Sequence, residues 1–403
     1  MNGLIFNIIK KNKLLAFMIF AVSVTLTAFL DEETMLNWLV IATISCSPVL
    51  LVAFQKPTKY EGPFWVFIFL FLTIVIMYHM DTVRWTTILF SIAFIIFFIS
   101  FARVTITKSP SPLFFQNILK LLIYSYCIVL IIQQTCVLLG LPIFNVSAYN
   151  IIEPWKLNSL MSEPSHSARV LPILMYIYIS IKEVSEGKKT IRESFKEDKP
   201  LWIAFVYACI TMLSATAYIF MFIVFAKFLN KNTVVRTVLF VIILLTLVSN
   251  VIENKAFQRT YDVVVATMTF NEDKIIEADG SGSYRIVPFF RGAKAIGASS
   301  FCDYFGHGID ADMRDIEPLP GTDKGCAGPF AIWYNYGLIL QLLYWFATLK
   351  VCYIKKDKVS LLVWFLCVFT YGGMNNQIVW LSMILLYSYR YCIKQSITQR
   401  LSI

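Results

Sequence analysis

LWIAFVYACITMLSATAYIFMFIVFAKFL, residues 201–229, is the stretch on which the membrane topology of this 403-residue chain turns. As a helix it would measure ~44 Å at 1.5 Å per residue, too long for one crossing of a ~30 Å hydrocarbon core and too short for two full ones. Lys182, Lys188, Lys189, Arg192, Lys196 and Lys199 precede it, and Lys227, Lys231 and Arg236 close it. Short loops rich in Lys and Arg mark the cytoplasmic side, so both ends belong inside. A hairpin of two short helices bent near Ser214-Ala215-Thr216 satisfies both constraints. Irregular backbone at such depth survives where protein buries it or where it lines a cavity. A single tilted helix would instead put the following insert in the cytoplasm and break the charge pattern downstream.

Outward from this run the chain is mostly apolar. Hydrophobic residues make up 58%, charged residues 15%, and mean hydropathy is +0.68, values that exclude an ordinary soluble globule. Spans are expected near 14–30, 36–54, 63–79, 85–102, 118–139, 168–181, 237–252, 329–350, 359–375 and 377–393. Lys10, Lys11 and Lys13 fix the N-terminus inside. Lys56, Lys59, Arg103, Lys108 and Lys120, then Lys350, Lys355, Lys356 and Lys358, then Arg390, Lys394 and Arg400, all fall inside on alternation. The short opposite loops hold only Arg84, Lys156 and Arg169. The expectation is an all-α, polytopic membrane bundle of about twelve segments, one of them the hairpin, with both termini cytoplasmic. It forms a single membrane domain, 1–403, with exported loops at 140–167 and 253–328 and a basic, solvated cytoplasmic loop at 182–200 that can touch anionic lipid. The net charge of +10 is thus a topology signal, and no nucleic-acid partner is expected. No cleavable signal peptide is expected, because the first apolar run lacks a small-residue cleavage site.

The insert from Glu253 to Pro329 holds 12 acids and 8 bases, yet Arg285, Arg291 and Lys294 meet no acid between Gly280 and Cys302. A basic patch in an acidic loop beside a bilayer points to an anionic ligand at the membrane surface. Cys302 and Cys326 share this insert and, on this topology, an oxidising compartment; they close a disulfide or remain two free thiols. No His/Cys/Asp/Glu spacing suits a metal, and no cofactor is expected. His307, in Gly306-His307-Gly308, is a tight turn or a site.

MSEPSHSAR (161–169) is the second constellation. Pro164 stiffens the chain, and Ser165 or Ser167 can cap a helix starting near Ala168. Glu163, His166 and Arg169 then cluster at the mouth of that span, where charge needs a partner or a use. Either a Glu163–Arg169 ion pair anchors the helix end or the three residues are functional. His79 reads as an interfacial residue. Gly372-Gly373-Met374-Asn375-Asn376-Gln377 reads as a tight turn, with Asn375, Asn376 and Gln377, like Tyr284, as candidates to face a sugar.

Three stretches resemble the Wzy-type polymerases of O-antigen, capsule and exopolysaccharide assembly, a family that shares a superfamily with the O-antigen ligases. SEPSHSAR (162–169) is similar to the Glu-Pro-Ser signature before a central span. TMLSATAYIFMF (211–222) is similar to the Ser-containing segment ahead of the large loop. SGSYRIVPFFRGAKAIGASSFCDYFGHGID (281–310), followed by GPFAIWYNYGLI (328–339), resembles the arginine-bearing loop and the helix after it. Together they span roughly residues 160–340. The resemblance implies a GT-C-like glycosyltransferase of the bacterial cytoplasmic membrane. It would move a polyisoprenyl-pyrophosphate-linked glycan onto the sugar of an incoming lipid-linked repeat unit, with inversion. Its expected partners are a repeat-unit flippase and a chain-length regulator, besides membrane lipid.

The chemistry suits these residues. Cleavage at the anomeric carbon builds charge on a departing pyrophosphate, and fixed arginines in a poorly hydrated pocket would stabilise it. Arg285 and Arg291 are the leading candidates, with Arg169 third; Lys294 would share Arg291's face on a helix. Glu163, His166 or His307 would take the acceptor's proton. The first alternative is a ligase that transfers glycan to lipid A core. Ligases carry a histidine eleven residues before a glycine that would align with Gly337, and Cys326 stands there instead. The second is a transporter or flippase, for which neither internal repeats nor mid-span charges speak.

Overall fold

The computed structural model describes residues 12–31, 36–146, 151, 153–229, 262–263, 265–278, 280–317 and 327–401. Among these residues the protein is all-α, with β-pairing limited to two isolated bridges, Leu30–Asn37 and Ile354–Asp357. Among the described residues three helices are long and apolar enough to cross a membrane: Glu61–Tyr78, Trp85–Lys108 and Pro112–Leu139. The expected span at 237–252 lies outside the described residues. The chain divides into two compact units: Met1–Lys56 with Ser100–Ala256 and Trp380–Ile403, and Pro57–Ile99 with Phe257–Val379.

In the first unit, local signals set the helix ends. Pro112 occupies the first turn of Pro112–Leu139, where its missing N–H is no loss, and Ser111 Oγ accepts from Phe114 N. Gly140, at φ 65°, closes that helix in the left-handed conformation. Pro164–Glu186 packs against both Pro112–Leu139 and Ala215–Ala226. The 201–229 run does divide into two helices, Lys199–Thr211 and Ala215–Ala226, with Leu213 at φ 49° in the break.

Two sequence expectations change here. The first apolar run forms only an 11-residue helix, Lys13–Ser23, because Ser23 turns its hydroxyl back to Ile19 O and Asn37 ties down Val24 O. The 182–200 loop is not simply solvated. Thr190 and Glu193 make a capping box for the Ile191–Glu197 helix. Lys182 bridges Glu197 at 3.0 Å and Asp198 at 2.5 Å. Lys227 forms a buried ion pair with Glu183 at 2.9 Å and lies over the Tyr176 and Tyr389 rings.

In the second unit, Phe67 and Phe71 of Glu61–Tyr78 meet Tyr344 and Tyr336 at ring-centroid distances of 5.9 and 4.9 Å. The expected 329–350 span is interrupted. Gly337, at φ 96°, separates Ala331–Tyr336 from Leu338–Cys352. The cause is a close backbone approach: a Cβ on Gly337 would lie 2.0 Å from Tyr304 O, and one on Gly306 would lie 2.2 Å from Asn335 O. The described part of the insert is helical, not an irregular loop. Gly280–Ala295 buries Val287 and packs Ile286 and Phe290 against Ala266, Ile275, Ala327 and Tyr334, a small core of its own.

Candidate functional site

The site candidates divide between the two units. In the first, the MSEPSHSAR segment is held by buried amides. Gln133 Nε2 donates to Phe144 O at 2.7 Å, and its Oε1 accepts from Ser159 N at 2.8 Å. Asn158 Nδ2 reaches Asn145 O, and Asn145 Nδ2 reaches Ser159 O, both at 2.8 Å. Gln133, Asn145, Asn158 and Ser159 are all buried, so this satisfied network ties residues 144–145 to residues 158–159. Its members were not singled out in the sequence, since the network joins residues far apart in the chain.

The helix after it starts at Pro164, four residues before the expected Ala168. Neither serine caps it. Ser165 Oγ donates to Glu163 Oε2 at 3.1 Å, and Ser167 Oγ donates to Asn158 O. His166 Nδ1 lies 3.2 Å from Ser162 Oγ. Glu163 is exposed while Arg169 is buried at 6% exposure, and no salt bridge joins them among the described residues. The anchoring ion pair is therefore replaced by a short serine–glutamate turn above a buried guanidinium.

In the second unit, Gly280–Ala295 carries Tyr284, Arg285, Arg291 and Lys294. The side chain of Arg285 lies outside the described residues, and Tyr284 is exposed. Arg291 and Lys294, three apart on the helix, both turn to Glu272. Arg291 Nε is 3.0 Å from Oε2 and Lys294 Nζ is 2.7 Å from Oε1. Arg291 also donates to Glu317 O at 2.5 Å. Burial pushes the Glu272 carboxyl up, but the hydrogen bonds from Lys294 and Arg291 outweigh it and hold it below the usual carboxylate range. Gly292, beside Arg291, seats the helix: a Cβ there would lie 2.1 Å from Ala327 O.

His307 stacks on Tyr334, with ring centroids 4.3 Å apart, and its Nδ1 lies 3.1 Å from Tyr334 O. Asn335 locks the following turn: its Nδ2 donates to Asp312 Oδ1 at 2.7 Å, and its Oδ1 accepts from Asp312 N at 2.9 Å. Burial raises the Asp312 carboxyl above its ordinary range, the Asn335 hydrogen bond opposes this, and the Asp310 charge adds to it. Asp310 itself meets Arg84 at 2.8 Å. His79, read from sequence as interfacial, belongs to this cluster: it is 8% exposed, and its Nε2 lies 2.9 Å from Phe305 O.

The remaining candidates have structural partners. Asn376 Oδ1 accepts from Ile378 N at 2.8 Å, capping Gln377–Leu401, and Asn375 accepts from Ser91 Oγ. Gln377 opens that helix. Cys302 is exposed, and Cys326 lies outside the described residues, as does any bridge between them. Comparison with known proteins finds no matching family model, curated protein or solved structure.

Proposed function

We propose that this protein is a polysaccharide polymerase of the bacterial cytoplasmic membrane. It transfers a polyisoprenyl-pyrophosphate-linked glycan to the sugar of an incoming lipid-linked repeat unit at the outer membrane face. The reading extends the three membrane-length helices to a GT-C-like bundle of about twelve segments with both termini inside. Residues 262–317 then face outward beside the lipid headgroups.

One observation carries the reading: Gly280–Ala295 is a helix that sets Arg291 and Lys294 on one face, oriented by a single carboxylate. Arg291, fixed in this way, loses little freedom when a pyrophosphate departs and its charge grows, which is the condition for electrostatic catalysis. Arg285 and Arg291 contact the pyrophosphate, and Lys294 adds charge. His307 accepts the attacking hydroxyl's proton, directly or through water. The bond to the anomeric carbon breaks with its electron pair on pyrophosphate, and the acceptor oxygen takes its place with inversion.

The test is reconstitution of the purified protein with a lipid-linked repeat unit, followed by product length. A ladder lost in folded Arg285→Ala and Arg291→Ala variants is the expected result. Single transfer onto added lipid A core would replace the polymerase by a ligase, and no transfer from authentic substrate would overturn the enzyme.

A further inference from the structure

Pro112–Leu139 and Lys199–Thr211 pack side by side in the first unit and leave an open groove of about 550 Å³. That size falls within the roughly 300–1,000 Å³ typical of lipid-sized and smaller ligand pockets. Cys127 and Ile131 line the groove from the first helix, and Ile203, Ala204 and Tyr207 line it from the second. Positions 199, 203 and 207 share one helix face, as do 120, 124, 127 and 131, so each wall is a continuous stripe. At one end Tyr207 Oη donates to Gln134 Oε1 and ties the two helices together. At the other end Lys199 lines the groove, and Lys120 belongs to the same stripe as Cys127.

No acid cancels the charge at the Lys199 end. Lys199 is exposed, and its side chain has no ion pair or hydrogen bond among the described residues. Its neighbour Asp198 is buried among other partners. Lys182 Nζ lies 2.5 Å from Asp198 Oδ2, Tyr178 Oη donates to the same oxygen at 2.9 Å, and Lys120 Nζ lies 3.5 Å from Oδ1. Glu197 is taken by Lys182 at 3.0 Å and by Lys189 at 2.5 Å. Glu186 meets Lys189 at 2.5 Å, Glu183 meets Lys227 at 2.9 Å, and Glu193 is held in the Thr190 capping box. Every acid from Glu183 to Asp198 thus has a partner of its own.

An apolar groove beside a membrane-length helix suits a hydrocarbon chain, and an uncancelled lysine at its end suits an anionic head. Along the helix, Lys199 to Tyr207 measures ~12 Å at 1.5 Å per residue, close to the ~15 Å of one leaflet in a ~30 Å core. A single acyl chain fits that length, whereas a long polyprenyl chain would run well past the Tyr207–Gln134 tie. We infer that this groove binds one anionic phospholipid, with an acyl chain between the two helices and the phosphate on Lys199. The site does not depend on the polymerase reading.

Full-length protein, stripped of lipid in a neutral detergent, is titrated with three probes, and bound lipid is counted by native mass spectrometry. The probes are dioleoyl-phosphatidylglycerol, dioleoyl-phosphatidylcholine and geranylgeranyl phosphate. Wild type should prefer phosphatidylglycerol to phosphatidylcholine by about fivefold, the scale of one lysine beside a lipid headgroup. Lys199→Ala should abolish that preference and leave phosphatidylcholine binding unchanged, while Lys199→Arg, which keeps the charge, should retain it. Ala204→Trp fills the groove and should weaken both phospholipids alike. Lys188→Ala, which removes an exposed lysine away from the groove, should change nothing.

A preference that survives Lys199→Ala, or that falls equally in Lys188→Ala, overturns the site and leaves a general surface attraction. Equal wild-type binding of the two phospholipids overturns the anionic head, and unchanged binding in Ala204→Trp overturns the chain between the helices. Lys199-dependent binding of geranylgeranyl phosphate tighter than that of phosphatidylglycerol overturns the phospholipid and gives the groove to a prenyl lipid.

Discussion

Two cationic regions of the second unit solve the problem of charge in opposite ways. Around Glu272, one carboxylate gathers Arg291 and Lys294 on a helix face and fixes their direction. Around Gly308, Arg84 takes Asp310, Asp312 turns inward to Asn335, and Arg314 stands next to Asp315 in the chain. The first region gathers two cations on one acid, whereas the second divides its charges among separate partners. A shared counter-charge orients both cations at once.

The comparison breaks most completely at Gly337. Its Cβ would strike Tyr304 O at 2.0 Å, and its φ of 96° disfavours any side chain. Gly337→Ala should destabilise by about 3 kcal/mol or more and disturb the His307–Gly308 turn that the close approach positions. A thermal-unfolding midpoint in detergent, read with elongation activity, measures both.

Activity separates the regions next. On the proposed function, Arg291→Ala should lower the rate of elongation at saturating acceptor by roughly 100-fold, the scale of one lost transition-state donor. Arg84→Ala, which opens only the exposed pair to Asp310, should leave that rate within about twofold. Equal losses in the two variants would erase the distinction between the two regions.

Stability sharpens the contrast. Glu272→Gln leaves Arg291 and Lys294 without a carboxylate and should cost about 1 kcal/mol at neutral pH, a modest value because Lys294 is largely exposed. Glu272 has a lowered folded pKa, so its contribution is present above the unfolded carboxyl value of about 4.3 and is lost as pH falls through the folded value. Denaturant titrations of wild type and variant should therefore converge on acidification. The smallest effect is at Asp312, with the opposite sign. Its folded pKa is raised, so its contribution is complete below the unfolded value of about 3.9 and declines as pH rises through the folded one. Asp312→Asn should flatten that decline, and a variant that retains the wild-type slope would place the titration elsewhere.

The all-α membrane class was legible because apolar length is a property of contiguous residues. The division of 201–229 into two helices followed from length against charge, and Leu213 marks the break within a few residues of the expected bend. The interruption at Gly337 was not legible, since one glycine in an apolar run looks tolerable until Tyr304 O is known to lie against it. The helicity of 280–295 was hidden by three glycines, two serines and Pro288, whose poor propensity is overridden by burial of Val287 against the insert's small core. Arg291 and Lys294 stood out as a local charge pattern, whereas their shared partner Glu272 did not. His79 read only as interfacial because its partner, Phe305 O, stands 226 positions away, and Asn375 and Asn376 turn their Oδ1 atoms to Ser91 Oγ and Ile378 N.

The second unit is assembled from two separated pieces, 57–99 and 257–379. Synthesis at ~5–20 residues per second leaves the first piece waiting roughly 8–30 s before the second even begins to be made. Throughout that interval Phe67 and Phe71 have no Tyr344 or Tyr336 to pack against. The early helix must therefore be housed by lipid or by the insertion machinery, and the ribosome's pace becomes part of how this protein reaches its fold.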